Sequence, residues 1–110
     1  MINSLCKEAH ELAKKKGWYE EERNIPELLA LIHSEVSEAL EEYRKSGITH
    51  INFVCDDFPK KPEGFPIEIA DVLIRVFDLC GYLDIDIEEA IALKMKYNES
   101  RSYRHGNKHA

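Results

Sequence analysis

Pro66-Ile67-Glu68-Ile69-Ala70-Asp71-Val72-Leu73-Ile74-Arg75-Val76-Phe77-Asp78-Leu79-Cys80-Gly81-Tyr82 is the stretch that decides the fold. Placed on a helical wheel at about 100° per residue, its apolar residues cover most of the circumference. A helix that apolar is buried on most sides, and in a short chain this predicts a second subunit over part of it. Its polar residues, Glu68, Asp71, Arg75, Asp78 and Tyr82, fall in one stripe about 80° wide. That stripe must face an internal polar pocket or pair with other charges. Arg75 is spaced to neutralise Asp71 and Asp78 along the same helix.

Working outward, the segment before this helix, Ile48 to Phe65, is rich in turn formers (Pro59, Pro62, Gly64). Within it, only Ile51 to Val54 has a weak extended pattern. Upstream, Asn24-Ile25-Pro26-Glu27 combines a capping asparagine, an early proline and a glutamate three positions on. It opens a second helix that runs to about Lys45 and stops at Gly47. A first helix spans about Asn3 to Lys16 and stops at Gly17. Downstream, Asp86-Ile87-Glu88-Glu89 repeats the capping pattern and opens a fourth helix reaching about Ser100. The expected class is all-α, a four-helix bundle-like unit over residues 1–104 with a polar tail over residues 105–110.

The chain has 110 residues, enough for one domain and one core. No run approaches the roughly 18 apolar residues needed to span a membrane, and the charged start, Met1 to Lys16, lacks the apolar centre of a signal peptide. Cys6, Cys55 and Cys80 are odd in number and lack CxxC spacing, so packing roles in a reducing, cytoplasmic setting are expected. Net charge is −6, from 21 acids against 15 bases, which argues against a nucleic-acid partner. An acidic chain that handles phosphates needs a cation to mediate.

Two acidic pairs are candidates for holding that cation. On helix two, Leu28, Leu29, Ile32, Val36, Ala39, Leu40 and Tyr43 form the apolar arc. Glu35 falls inside its edge and Glu38 lies one turn on, whereas Glu41 points away. A glutamate facing the core is costly unless its charge is compensated. With Glu68 and Asp71 on helix three, two pairs spaced three apart can converge on one point. Four carboxylates suit magnesium, with manganese as a substitute. Either pair alone is weak evidence, since acids at this spacing are common on helices.

On helix four, Lys94, Asn98 and Arg101 continue the face set by Ile87, Ala90 and Ile91. Cations there suit phosphate oxygens, or simply complement the end of a helix. Trp18 is equally suited to stacking on a base or to the core. His10 and His33 read as packing or surface residues, and His105 sits in the tail.

Taken together, Ser34-Glu35-Val36-Ser37-Glu38, Glu68-Ile69-Ala70-Asp71 and Lys94 to Arg101 resemble the MazG-like all-α nucleoside triphosphate pyrophosphohydrolases, as does Arg104-His105-Gly106-Asn107-Lys108. The similarity runs over roughly residues 2 to 108. It implies that Glu35, Glu38, Glu68 and Asp71 bind magnesium. It further implies that Lys94, Asn98 and Arg101 hold phosphates and that Trp18 contacts the base. Such proteins split a triphosphate into a monophosphate and pyrophosphate, and assemble as dimers or tetramers. Many relatives open the first motif with two glutamates. Here the first is Ser34, which leaves the general base open between Glu35 and Glu38. Phosphoribosyl-ATP pyrophosphohydrolase is a second enzyme reading with the same architecture. A non-enzymatic nucleotide-binding or regulatory module is a third. A di-iron bundle is disfavoured because no Glu-x-x-His motif is present, and neither a P-loop nor a nucleophile elbow occurs.

Overall fold

Residues 1–54, 56 and 58–101 are described by a computed structural model. Cys55, the expected tail 105–110 and the stretch Arg104 to Lys108 lie outside the described residues.

Local capping chemistry sets the helix boundaries. Helix α1 spans Ile2–Lys15, and the chain turns at Gly17, whose φ of 87° suits a residue without Cβ. Helix α2 spans Ile25–Ser46; the Asn24 side chain accepts a hydrogen bond from the Glu27 amide at 2.8 Å, as the capping motif predicts. Helix α3 spans Phe65–Leu83, and helix α4 spans Ile87–Ser100 with the Asp86 carboxylate accepting from the Glu89 amide at 3.1 Å. The described residues are all-α apart from one small hairpin, β1 (Asn52–Val54) paired antiparallel with β2 (Lys61–Glu63). The weak extended signal at Ile51 to Val54 is therefore real. Its partner strand is hidden in the sequence by Pro62, which faces Phe53; a proline is tolerated in a two-stranded ribbon because both strands are edges.

Helix α3 is the centre of the unit, with α1 and α2 packed against it and α4 resting on α1. The N-termini of α1 and α4 are tied together: the Met1 ammonium and the Asn3 amide both donate to the Glu88 carboxylate, at 2.6 and 2.9 Å. The buried apolar residues among those described are Cys6, Leu28, Ala39 and Cys80, so two of the three cysteines are packing residues as expected.

The expected apolar arc of α2 is only half covered in one chain. Leu28 and Ala39 are buried, but Leu29, Val36, Leu40 and Tyr43 are 46–54% exposed. On α3, Ile69 and Leu73 are also exposed. Helix α3 is therefore not enclosed on most sides within a single chain. Among the described residues, no helix is long and apolar enough to cross a membrane.

Candidate functional site

The packing of α2 on α3 brings Glu35, Glu68 and Asp71 together, with one potential ligand oxygen from each within 4.8 Å of the others. Glu35 is 8% exposed, the one buried charged residue among those described. It is compensated by Arg75, whose Nε donates to Glu35 Oε1 at 2.7 Å across the two helices. The expected pairing of Arg75 with Asp71 and Asp78 thus gives way to a bond with α2. Asp78 is taken instead by His10 Nδ1, at 3.0 Å, and by the Tyr19 hydroxyl, which donates at 2.8 Å.

Arg75 does not relieve Glu68. Glu68 Oε2 is shut from solvent and makes no hydrogen bond. Burial, followed by the charges of Asp71, Glu38, Glu35 and Glu42, pushes the Glu68 carboxyl up to about 7. Asp71 is raised as well, by burial and then by Glu35, with partial relief from Glu68, Arg75 and Lys61. A buried carboxylate oxygen without a partner, beside two more carboxylates, is a donor set that a hard divalent cation satisfies.

Glu38 stands apart from the other three predicted ligands. It is exposed and is not one of the clustered oxygens, although its charge reaches Glu68. Ser34 is exposed too, and its hydroxyl donates to the Leu31 carbonyl at 2.6 Å, so an acid there would start from the solvent side of α2. Glu42 was not anticipated as part of the site. Its side chain is 16% exposed and its charge also bears on Glu68. The signal was present: on a wheel Glu42 falls about 20° from Glu35, nearer than Glu38 does.

Beside the cluster lies a cavity of about 670 Å³, of a size common for small-molecule sites. Glu35 of α2 and Asp71, Ile74, Arg75 and Asp78 of α3 line it together with Ala9, Leu12 and Ala13 of α1, Lys16 just past the end of α1, Trp18 and Lys61. Trp18 is 44% exposed rather than part of the core. Arg75 lies over its ring at 4.9 Å from the centroid and Arg23 at 5.8 Å. The turn carrying Trp18 is pinned by Tyr19 on Asp78, by a T-shaped contact between Tyr19 and His10, and by the Tyr82 hydroxyl donating to the Arg23 carbonyl. His10 is thus a packing residue with a specific hydrogen-bonding task.

Lys94, Asn98 and Arg101 are not brought to the acids within one chain. All three are exposed, Lys94 and Asn98 on α4 and Arg101 just past its end, and the two cations lie over the Tyr97 ring, at 5.0 and 5.5 Å. The inward face expected for α4 does not hold: Ala90 and Ile91 are exposed as well. The cations on the cavity wall are Lys16, Lys61 and Arg75.

The Glu68 shift has a testable sign. Its pKa lies above the ordinary value of 4.5, so protonation favours the fold. The cation-free chain should be most stable, as far as Glu68 is concerned, below pH about 4.5, and lose that contribution as pH rises to about 7. Melting temperatures in chelator between pH 5 and 8 should fall more steeply for the native chain than for Glu68→Gln. Equal slopes would contradict the assignment.

No protein-family model matches the chain, and no solved structure matches it. Over 38 residues it is 47% identical to a dATP/dGTP diphosphohydrolase of Cyanophage S-2L, a stretch covering 34% of this chain and 36% of that protein. The similarity to a nucleotide diphosphohydrolase thus spans about a third of the length of each partner.

Proposed function

We propose that this chain is a magnesium-dependent hydrolase that splits a nucleoside or deoxynucleoside triphosphate into the monophosphate and pyrophosphate, with manganese as a substitute ion. The observation that carries the proposal is the convergence of Glu35, Glu68 and Asp71 beside a cavity walled by an indole ring. The partial similarity to a dATP/dGTP diphosphohydrolase points to the same chemistry.

In this reading Glu35, Glu68 and Asp71 hold the cation. Once bound, it lowers the pKa of a water and neutralises charge on the phosphates. Glu38, exposed and unpaired with any described cation, orients that water and takes its proton at a carboxylate oxygen. Lys16 and Lys61, both on the cavity wall, offer ammonium groups to phosphate oxygens. Trp18 stacks on the base. Water adds at the α-phosphorus, the bond to the bridging oxygen breaks, and pyrophosphate leaves.

A role for Lys94, Asn98 and Arg101 in phosphate binding requires a second copy to bring α4 to the cavity. The exposed Leu29, Val36, Leu40 and Tyr43, with Ile69 and Leu73, are the surface over which a homodimer or homotetramer would form. A panel of nucleoside triphosphates, incubated with magnesium and assayed separately for pyrophosphate and orthophosphate, tests the activity. Pyrophosphate release that vanishes in chelator is expected. Orthophosphate as the first product would sink the proposal.

A further inference from the structure

Two arginines lie over the one indole ring on the cavity wall, and they are held differently. Arg23 is fixed by its surroundings: Nη1 donates to the Trp18 carbonyl at 3.1 Å and Nη2 pairs with Glu27 at 2.7 Å. Arg75 has a single ion-pair partner among the described residues, Glu35, through Nε. The rest of its guanidinium lies on Trp18 and borders the cavity. Of the two aspartates on its own helix, Asp78 is occupied by His10 and Tyr19, and Asp71 feels the charge of Arg75 without forming an ion pair with it among the described residues.

Glu35 is therefore shared between two uses. It is a member of the carboxylate cluster, and it is the counter-charge of Arg75. A buried carboxylate needs one cation beside it, and a second cation at the same oxygens repels the first.

We infer that Arg75 is a cation-responsive coupling residue: a divalent ion entering among Glu35, Glu68 and Asp71 displaces its guanidinium from Glu35, freeing it to meet an anionic group in the cavity beside Trp18. This rests on the metal-site reading above and adds to it a link between cation and triphosphate binding. Such coupling is reciprocal: whatever affinity the ion adds for the anion, the anion adds for the ion.

The test uses Trp18, the sole tryptophan of the chain. Magnesium is titrated in two ways, by calorimetry for binding and by indole emission for the position of the guanidinium. Magnesium is diamagnetic and does not itself quench the ring. In the native chain the emission should change and saturate over the same magnesium range as the heat. In Arg75→Gln, magnesium should bind roughly tenfold more tightly, because no guanidinium competes for Glu35, and the emission change should be lost. Arg75→Lys keeps the charge but not the planar stack, so magnesium affinity should stay within about threefold of native while the emission change shrinks. If Arg75→Gln does not fold, the native emission curve and Arg75→Lys still decide. Magnesium binding to the native chain with unchanged emission, or with equal affinity in Arg75→Gln, overturns the inference and leaves the metal site standing. No magnesium binding to the native chain overturns the metal reading, and the inference with it.

Discussion

Replacing Asp71 by asparagine is expected to lower pyrophosphate release by about 10³-fold while leaving the chain folded. The size follows from what a bound divalent ion supplies to a phosphate transition state, several kcal/mol, at about 1.4 kcal/mol per tenfold in rate. The retention of fold follows from electrostatics. In the cation-free chain the Asp71 carboxylate is disfavoured by burial and by the charge of Glu35. Removing that charge relieves repulsion, so the melting temperature in chelator should be unchanged or higher, a separation of activity from stability common at functional sites. The response to magnesium should move the opposite way. An ion at 100 times its dissociation constant stabilises a fold by about 2.7 kcal/mol, and a ligand loss that weakens binding tenfold removes about half of that gain. The measurement is a pair of melts, with chelator and with magnesium, beside the pyrophosphate assay. Full activity in Asp71→Asn would remove Asp71 from the site. A collapsed melting temperature in chelator would make its role structural instead.

The parts of this site that were legible in the sequence are those fixed by short-range contradiction. Glu35 on an apolar face and Glu68 with Asp71 on a narrow polar stripe both pose a charge problem that a wheel exposes, and these three do converge. The helix starts were legible for a similar reason, because Asn24 with Glu27 and Asp86 with Glu89 are complete local devices. What the sequence concealed depends on choice between distant partners. Arg75 sits one turn from two aspartates on its own helix, and a wheel shows neither that Asp78 is engaged by His10 and Tyr19 nor that Arg75 reaches Glu35 on α2. A wheel also says which residues share a face, not what that face meets. Lys94, Asn98 and Arg101 do share exposure on α4 and just past its end, yet α4 rests on α1 and not on the acids. The strand Lys61–Glu63 escaped because a proline in a three-residue strand reads as a turn, although it places Lys61 on the cavity wall.

Gly81→Ala should be among the most damaging single-methyl changes available to this fold, at about 2–3 kcal/mol. Within a helix, alanine is ordinarily better than glycine by about 1 kcal/mol, so propensity alone predicts a gain. The crossing of α1 over α3 reverses the sign. A Cβ at Gly81 would stand 2.5 Å from the Cys6 carbonyl oxygen and 2.7 Å from His10 Cβ. The first of these is backbone and cannot rotate away, so α1 itself must shift. It carries Ala9, Leu12 and Ala13 on the cavity wall and leads directly to Lys16 and Trp18, so the same shift should weaken substrate binding. Thermal unfolding followed by helical circular dichroism should show a fall of about 10 °C or more. Gly47→Ala separates the two possible causes. Gly47 has φ 75° and ψ −158° but nothing within 4 Å of an added Cβ, so it suffers only the backbone cost of a conformation populated almost solely by glycine, about 1–3 kcal/mol. Gly81 sits in ordinary helical conformation and would suffer only the clash. A Gly81→Ala chain as stable as the native one would mean that α1 and α3 are free to separate, and with them the aromatic and carboxylate walls of the site.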